Sequence, residues 1–350
     1  MQRPRGDGSA VRWPGRGLVR ALLVALAAGS AGCVIVVGSP LGMLGRGKQP
    51  LQERVVEGEG RDKILLVEVS GIISDVPSRR AFGLVEEEST VGRLEAQLAK
   101  ARDDDRVRAL VVHVQSPGGG VTASDVLYGE LRRFAREEQI PIVAALGNLA
   151  TSGGYYTALA ADRIVAHPTT VTGSIGVIMM SLNVEGLLGK LGVEDATMKA
   201  GDHKDLLSPL RRADPEERAI VQDVLDAMHR RFVSIVRERR PGLATERVGT
   251  ITDGRIFDAQ TALDLGLVDA IGDLTAAVDL ARELARVETA RVVRYGRGSE
   301  MPETLHARAP SSERPSLLVE LLAGVGPDVG PRFFYLWAPG IDLTAMTRAR

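Results

Sequence analysis

The chain has 350 residues, 44% of them hydrophobic and 25% charged, and a net charge of −1. That composition suits a folded protein with one substantial core or two modest ones, and the balanced charge argues against nucleic acid as a partner. A single cysteine rules out an intramolecular disulfide, and the scattered histidines, with no HExxH or CxxC spacing, offer no metal centre.

Arg3, Arg5, Arg12, Arg16 and Arg20 precede an uncharged stretch, residues 21–45. Its apolar part, residues 21–38, is near the lower limit of roughly 17 residues for crossing a bilayer. The arginines would stay in the cytoplasm and send the rest of the chain outward. Two readings stay open. One is an uncleaved anchor helix. The other is a signal peptide ending at Ser30, Ala31, Gly32 and Cys33, which looks like a lipoprotein cleavage box and would make Cys33 a lipidation site. Both put the rest of the chain on the extracytoplasmic side. Residues 1–40 are therefore read as a signal or anchor segment, and residues 41–62, rich in Gly, Arg, Lys and Glu, as a linker.

Residues 63–69 form a β-branched run that predicts the first strand. Residues 77–88 have no period and predict an exposed loop. Leu94 and Leu98, four apart, place a helix over 91–101. A buried strand over 109–114 leads to a glycine turn at Ser116, Pro117, Gly118, Gly119 and Gly120. An amphipathic helix over 121–138 and a strand over 141–146 follow. Ser152 then falls on a strand-to-helix turn, with a small-residue helix at 157–161 and a short strand at 163–166. Residues 187–191 read as helical. Asp214 caps the longest helix, 215–239, with Glu216 and Glu217 in its first turn. Helices over 259–265 and 274–285 come last. Strands alternating with helices predict an α/β fold with mainly parallel pairing, and no internal repeat is present. Beyond Arg297 the chain turns Pro- and Gly-rich, with an apolar helix candidate at 317–323. The aromatic run at Phe333, Phe334, Tyr335, Leu336 and Trp337 either packs on its own domain or docks on a neighbouring subunit or the membrane.

Two segments carry chemistry. Ser152 stands before Gly153, Gly154, Tyr155 and Tyr156, where the glycines let the backbone approach a substrate closely. Lys204 lies further along, between His203 and Asp205. A lysine can activate a serine once desolvation leaves its amine neutral. The glycine turn supplies one oxyanion donor, the N–H of Gly118 or Gly119, and the serine turn a second, the N–H of Gly153. Each feature alone has an ordinary alternative: a helix-capping serine, a solvated lysine, a structural turn.

In their order these motifs resemble the bacterial signal peptide peptidase A (protease IV) family of membrane-bound serine peptidases. Ser152 stands before Gly-Gly-Tyr, and Lys204 stands before Asp in a stretch ending Ser208, Pro209, Leu210 and Arg211, with further matches at 116–120, 172–178, 253–255 and 266–269. The resemblance implies a fold like the Clp protease subunit and the crotonases, a spiral of β-β-α units, in the short single-copy form. The matches span residues 63–285, so the peptidase domain is read as 63–297, followed by a tail, 298–350, with the two alternatives given above for its aromatic run. Ser152 would be the nucleophile and Lys204 its general base, with no cofactor, and Ser174 or Ser208 would orient the lysine. Homo-oligomers would enclose the active sites, with pockets shared across subunits. Substrates would be signal-peptide remnants and other short apolar peptides. Thr151 departs from the family pattern, which has a small apolar residue there. His203 is a rival base, without a patterned carboxylate partner. Two other functions compete, a catalytically silent membrane scaffold and a crotonase-type acyl-thioester enzyme. The intact serine, lysine and glycines argue against the first, and an export signal against the second.

Overall fold

The computed structural model describes residues 50–80, 85–181, 183–297, 301–307 and 333–337. The expected anchor with Cys33, and the apolar segment 317–323, lie outside the described residues. No described helix is long and apolar enough to cross a membrane.

The chain opens with β1 (Gln52–Glu57), β2 (Asp62–Ile73), β3 (Ser78–Arg80), β4 (Val85–Glu87), α1 (Thr90–Arg102) and β5 (Val107–Gly120). Next come α2 (Val121–Glu138), β6 (Ile142–Thr151), α3 (Gly153–Ala158), β7 (Arg163–Ala166), β8 (Val171–Gly173), β9 (Ile178–Met179) and α4 (Glu185–Lys190). The remainder is α5 (Pro215–Arg239), α6 (Thr245–Ile251), β10 (Ile256–Asp258), α7 (Ala259–Asp264), β11 (Ala270–Ile271), α8 (Leu274–Ala285), β12 (Ala290–Gly296) and β13 (Phe333–Leu336).

The central sheet is mixed and runs β1-β12-β2-β5-β6-β7-β11, all parallel except β1 on its edge. Period-two alternation divides its side chains between two cores. Leu65, Val67, Leu110, Val112 and Val114 face one core with α1 and α2, while Ile64, Leu66, Ala109 and Val111 face the other with Ala277, Val278 and Ala281 of α8. Burial on both faces is why these strands read as unbroken apolar runs, each large side chain contributing about 1.5–3 kcal/mol.

β5 and β6 part company near their carboxyl ends. Their pairing ends at Ser116 and Ala150, while on its other edge β6 pairs with β8 from Leu149 to Thr151, and β8 carries β10 antiparallel. This leaves one edge of Gly118–Gly120 without β6. The antiparallel strand β13 fills that edge and pairs with β9 on its far side. The tail aromatics therefore pack on their own domain.

Three expectations need correction. Residues 41–62, read as a linker, contain β1, which pairs antiparallel with β12. Lys63, 1% exposed, helps to hold that edge through ion pairs to Glu53 and Asp104. Residues 77–88, read as a loop, contain the β3–β4 hairpin. The glycines 118–120 are strand rather than turn. A Cβ on Gly119 would lie 2.1 Å from the Ile73 carbonyl oxygen, so what they supply is close strand approach. α6 and β10 carried no signal that the sequence reading used.

The long helix α5 begins as expected. Asp214 accepts from the Glu217 N–H at 2.8 Å and Glu217 reaches back to the Asp214 N–H, a reciprocal cap. Asp214→Ala is expected to cost about 1 kcal/mol, read as a lower melting temperature.

Candidate active site

β6 ends at Thr151 and α3 starts at Gly153, so Ser152 forms the strand-to-helix corner. Its backbone sits at φ 52° and ψ −115°, a conformation that costs an L-residue about 1–3 kcal/mol and recurs where a nucleophile is lifted out of a sheet. Neighbouring bonds hold it there: the Ser152 N–H donates to the Gly173 carbonyl at 2.7 Å, and the Tyr156 N–H donates to the Ser152 carbonyl at 2.8 Å. Gly153 and Gly154 are required by crowding. A Cβ on Gly153 would lie 2.4 Å from Ser124 Oγ, and one on Gly154 2.8 Å from the Ser116 carbonyl oxygen.

Ser152 is 1% exposed, and its Oγ has no hydrogen-bond partner among the described residues. Thr151 Oγ1 beside it is in the same position. Surrounding hydroxyls are satisfied, Tyr155 by the Leu267 carbonyl and Thr172 by the Ala150 carbonyl. A buried, unpaired hydroxyl is costly, and is tolerated where the atom has other work.

The expected oxyanion donors converge beside it. A Cβ on Gly118 would lie 2.8 Å from the Gly153 nitrogen, and one on Gly153 would lie 3.1 Å from the Gly119 nitrogen. Ser174, also buried, follows Gly173, whose carbonyl takes the Ser152 N–H. Like Ser152 it has positive φ, at 51°. The structure thus brings Ser152, Gly118, Gly119, Gly153 and Ser174 together.

Lys204 and Ser208 are placed otherwise. Lys204 is exposed and makes no side-chain hydrogen bond or ion pair with any described residue, so no bond joins it to the buried Ser152. Ser208 Oγ accepts from the Leu210 N–H at 3.3 Å, which is local backbone capping. Arg211 ties this segment to the start of α5. It donates to Asp205 at 2.6 and 2.8 Å and to Glu217 at 2.8 Å, and Lys199 adds a bond to Asp205 at 2.6 Å. The Arg211 guanidinium holds both carboxyls below the usual carboxylate range. Sequence reasoning missed this clamp, although Asp, Arg and Glu at a six-residue spacing around a turn was a usable signal. His203 lies 3.7 Å from Glu216 at the surface, with no bond to Ser152.

The model of peptidase family S49 matches residues 134–288, which include Ser152, Gly153 and Lys204. A protein of Enterococcus faecium bearing the name signal peptide peptidase SppA is 34% identical, over 81% of this chain and 84% of its own length. The chain belongs to peptidase family S49. A Synechocystis protease is 39% identical over 66% of this chain and 78% of its own, and Protease 4 of Salmonella typhi is 36% identical over 55% of this chain and 31% of its own. As a member of S49 the protein is a serine-type peptidase, and the family resemblance read from the motifs holds. What sequence reasoning missed in the S49 site is β13. Its Tyr335 carbonyl oxygen would lie 1.9 Å from a Cβ on Gly118 and 3.1 Å from one on Gly153. A run of large apolar side chains flanked by Pro331 and Pro339 was the available strand signal.

Proposed function

We propose that the protein is a membrane-attached serine endopeptidase, of Clp/crotonase-like fold, in which Ser152 and Lys204 form a dyad completed between subunits. The observation that carries this reading is Ser152 itself: buried, held at positive φ, its Oγ unpaired, and the amides of Gly119 and Gly153 beside it. A neutral Lys204 amine removes the Oγ proton as Oγ bonds to a peptide carbonyl carbon. The carbonyl electron pair moves onto oxygen, which the two glycine N–H groups stabilise. The C–N bond then breaks, and the Lys204 ammonium gives its proton to the leaving amine. Water repeats the sequence on the acyl-enzyme. Ser174, next to the Gly173 whose carbonyl takes the Ser152 N–H, orients the amine in this reading.

A lysine from another copy fits the exposure of its segment. Leu191 is 68% exposed and Met198 96% exposed, with Leu187 and Val193 also turned outward, an apolar surface that a homo-oligomer would cover. Residues 1–40 attach the protein to the membrane, through a helix or through Cys33, with the peptidase part extracytoplasmic. Substrates are short apolar peptides such as signal-peptide remnants.

The test is hydrolysis of a fluorogenic apolar peptide by the full chain, with a fluorophosphonate probe attaching at Ser152 and stopping turnover. Full activity after labelling of Ser152, or labelling elsewhere in step with inhibition, would remove the mechanism. In the same preparations Cys33→Ser separates the attachment modes. It blocks lipid attachment and amino-terminal processing of a lipoprotein, read as the mass of the mature amino terminus, and leaves a helix-anchored chain as before.

A further inference from the structure

The loop that carries Lys204 is built of tight turns. The Lys204 N–H donates to the Gly201 carbonyl at 3.1 Å, the Leu206 N–H to His203 at 3.1 Å and the Ser208 N–H to Asp205 at 2.9 Å. Leu207 takes φ 67° among them, a conformation that a bulky side chain keeps only where its surroundings enforce it. Arg211 closes this loop. Its guanidinium grips both oxygens of the Asp205 carboxylate, Nε to Oδ2 at 2.6 Å and Nη2 to Oδ1 at 2.8 Å, and also donates to the Asp205 carbonyl at 3.3 Å. The same guanidinium holds Glu217 through Nη1 at 2.8 Å and through Nη2. Glu217 is 2% exposed although Glu216 and Arg218 beside it are exposed, so the loop is fastened to a buried anchor in the first turn of α5. Asn183, just before α4, donates to the Arg211 carbonyl at 2.6 Å and fixes the other side.

Asp205 follows Lys204 directly in the chain. Left free, a carboxylate one residue away would favour the lysine ammonium over the neutral amine that a base requires. Here it is already taken, by the Arg211 fork and by Lys199 at 2.6 Å. With Asp205 and Glu217 against Arg211 and Lys199, the cluster is electrically balanced. The other charged groups of this surface are engaged elsewhere or open to water. His203 lies 3.7 Å from Glu216 of α5, Arg212 pairs with Glu185 of α4 at 3.2 Å, Asp214 caps α5, and Asp202 is exposed.

We propose that Arg211 is a positioning residue for Lys204. Anchored on the buried Glu217, its fork takes Asp205 away, so that Lys204 stands without a counter-ion at a fixed place on the surface offered to the second copy. This rests on the dyad reading of Ser152 and Lys204, and it names what prepares the lysine. Arg211 does two separable things. Its charge balances Asp205, and its planar fork sets the shape of the loop, which a lysine could not do.

The test measures kcat and KM of the full chain on a fluorogenic apolar peptide across pH, where a lysine base gives a limb that rises with pH. Arg211→Gln leaves one uncompensated negative charge beside Lys204. It should lower kcat at neutral pH about tenfold, with KM little changed, and displace the rising limb upward by about one pH unit. Adding Asp205→Asn to Arg211→Gln balances the cluster again and should return the limb to its place. Arg211→Lys keeps the charge without the fork, so the limb should stay while kcat falls, by about threefold to tenfold. A purely structural clamp would lower the melting temperature and leave the limb unmoved. A folded, assembled Arg211→Gln with the parent's limb, or a double variant whose limb stays displaced, therefore overturns the proposal and leaves the dyad standing. If Arg211→Gln does not assemble, Lys199→Gln strips the other cation from Asp205 and should displace the limb in the same direction; an unmoved limb there overturns the proposal equally. Failure of the dyad reads differently, since Lys204→Ala would then turn over the peptide like the parent.

Discussion

Ser152→Ala is expected to lower peptide turnover by about 10⁴- to 10⁶-fold, as when the nucleophile of a coupled catalytic unit is removed. The fold should be unaffected, because the Ser152 hydroxyl makes no hydrogen bond to a described residue and alanine keeps the Cβ that already tolerates φ 52°. Circular dichroism and melting temperature should therefore match the parent. Ser152→Gly makes the complementary point. It should be equally inactive yet more stable, by up to about 1–3 kcal/mol, since glycine adopts positive φ without strain. A Ser152→Ala protein that is folded and still cleaves peptides would end the proposal that this corner is the catalytic one.

The second large effect comes from mixing inactive chains. Lys204→Ala should be as inactive as Ser152→Ala, and the double variant little worse than either, because the two residues act as a unit. Lys204 is exposed and makes no bond to a described residue while Ser152 is buried, which is why the proposed dyad is assigned to two copies of the chain. Co-expressed Ser152→Ala and Lys204→Ala chains should then regain activity. With random assembly and one lysine per neighbouring serine, about a quarter of the sites receive both intact residues. A dyad contained within one chain would give no recovery, since every chain in the mixture lacks one member. Mixed assemblies confirmed by mass that remain inactive would show that Lys204 does not act across an interface.

Much of the fold was legible because the relevant forces are local. The helices at 121–138, 215–239 and 274–285 coincide with α2, α5 and α8, and the strand at 163–166 with β7. Their periods and caps lie within the segments themselves, as the Asp214–Glu217 box shows. Pairing between distant segments was not legible. β1 is polar along much of its length and gains its conformation from β12, near the other end of the domain's sequence. The glycines at 118–120 have no strand propensity of their own and read as a turn, yet they pair as strand between Ile72 and Ile73 on one side and β13 on the other, with Gly118 at a φ of 108° that glycine accepts.

The same division runs through the site. The sequence alone determined the family, the Ser-Gly-Gly corner and the order of motifs around it, since a serine before glycines on a strand-to-helix turn is a local arrangement. It also marked Lys204 as the base for Ser152, and left Ser174 and Ser208 as alternatives for orienting it. Only the tertiary structure decided that Ser174 sits by the serine while Lys204 stays at the surface, that Arg211 clamps Asp205 and Glu217, and that Tyr335 is buried opposite Gly119. The physical reason is that β6 leaves β5 after Ser116, opening a hydrogen-bonding edge. Backbone groups on such an edge must find a partner, and which segment supplies it depends on the packing of the whole chain.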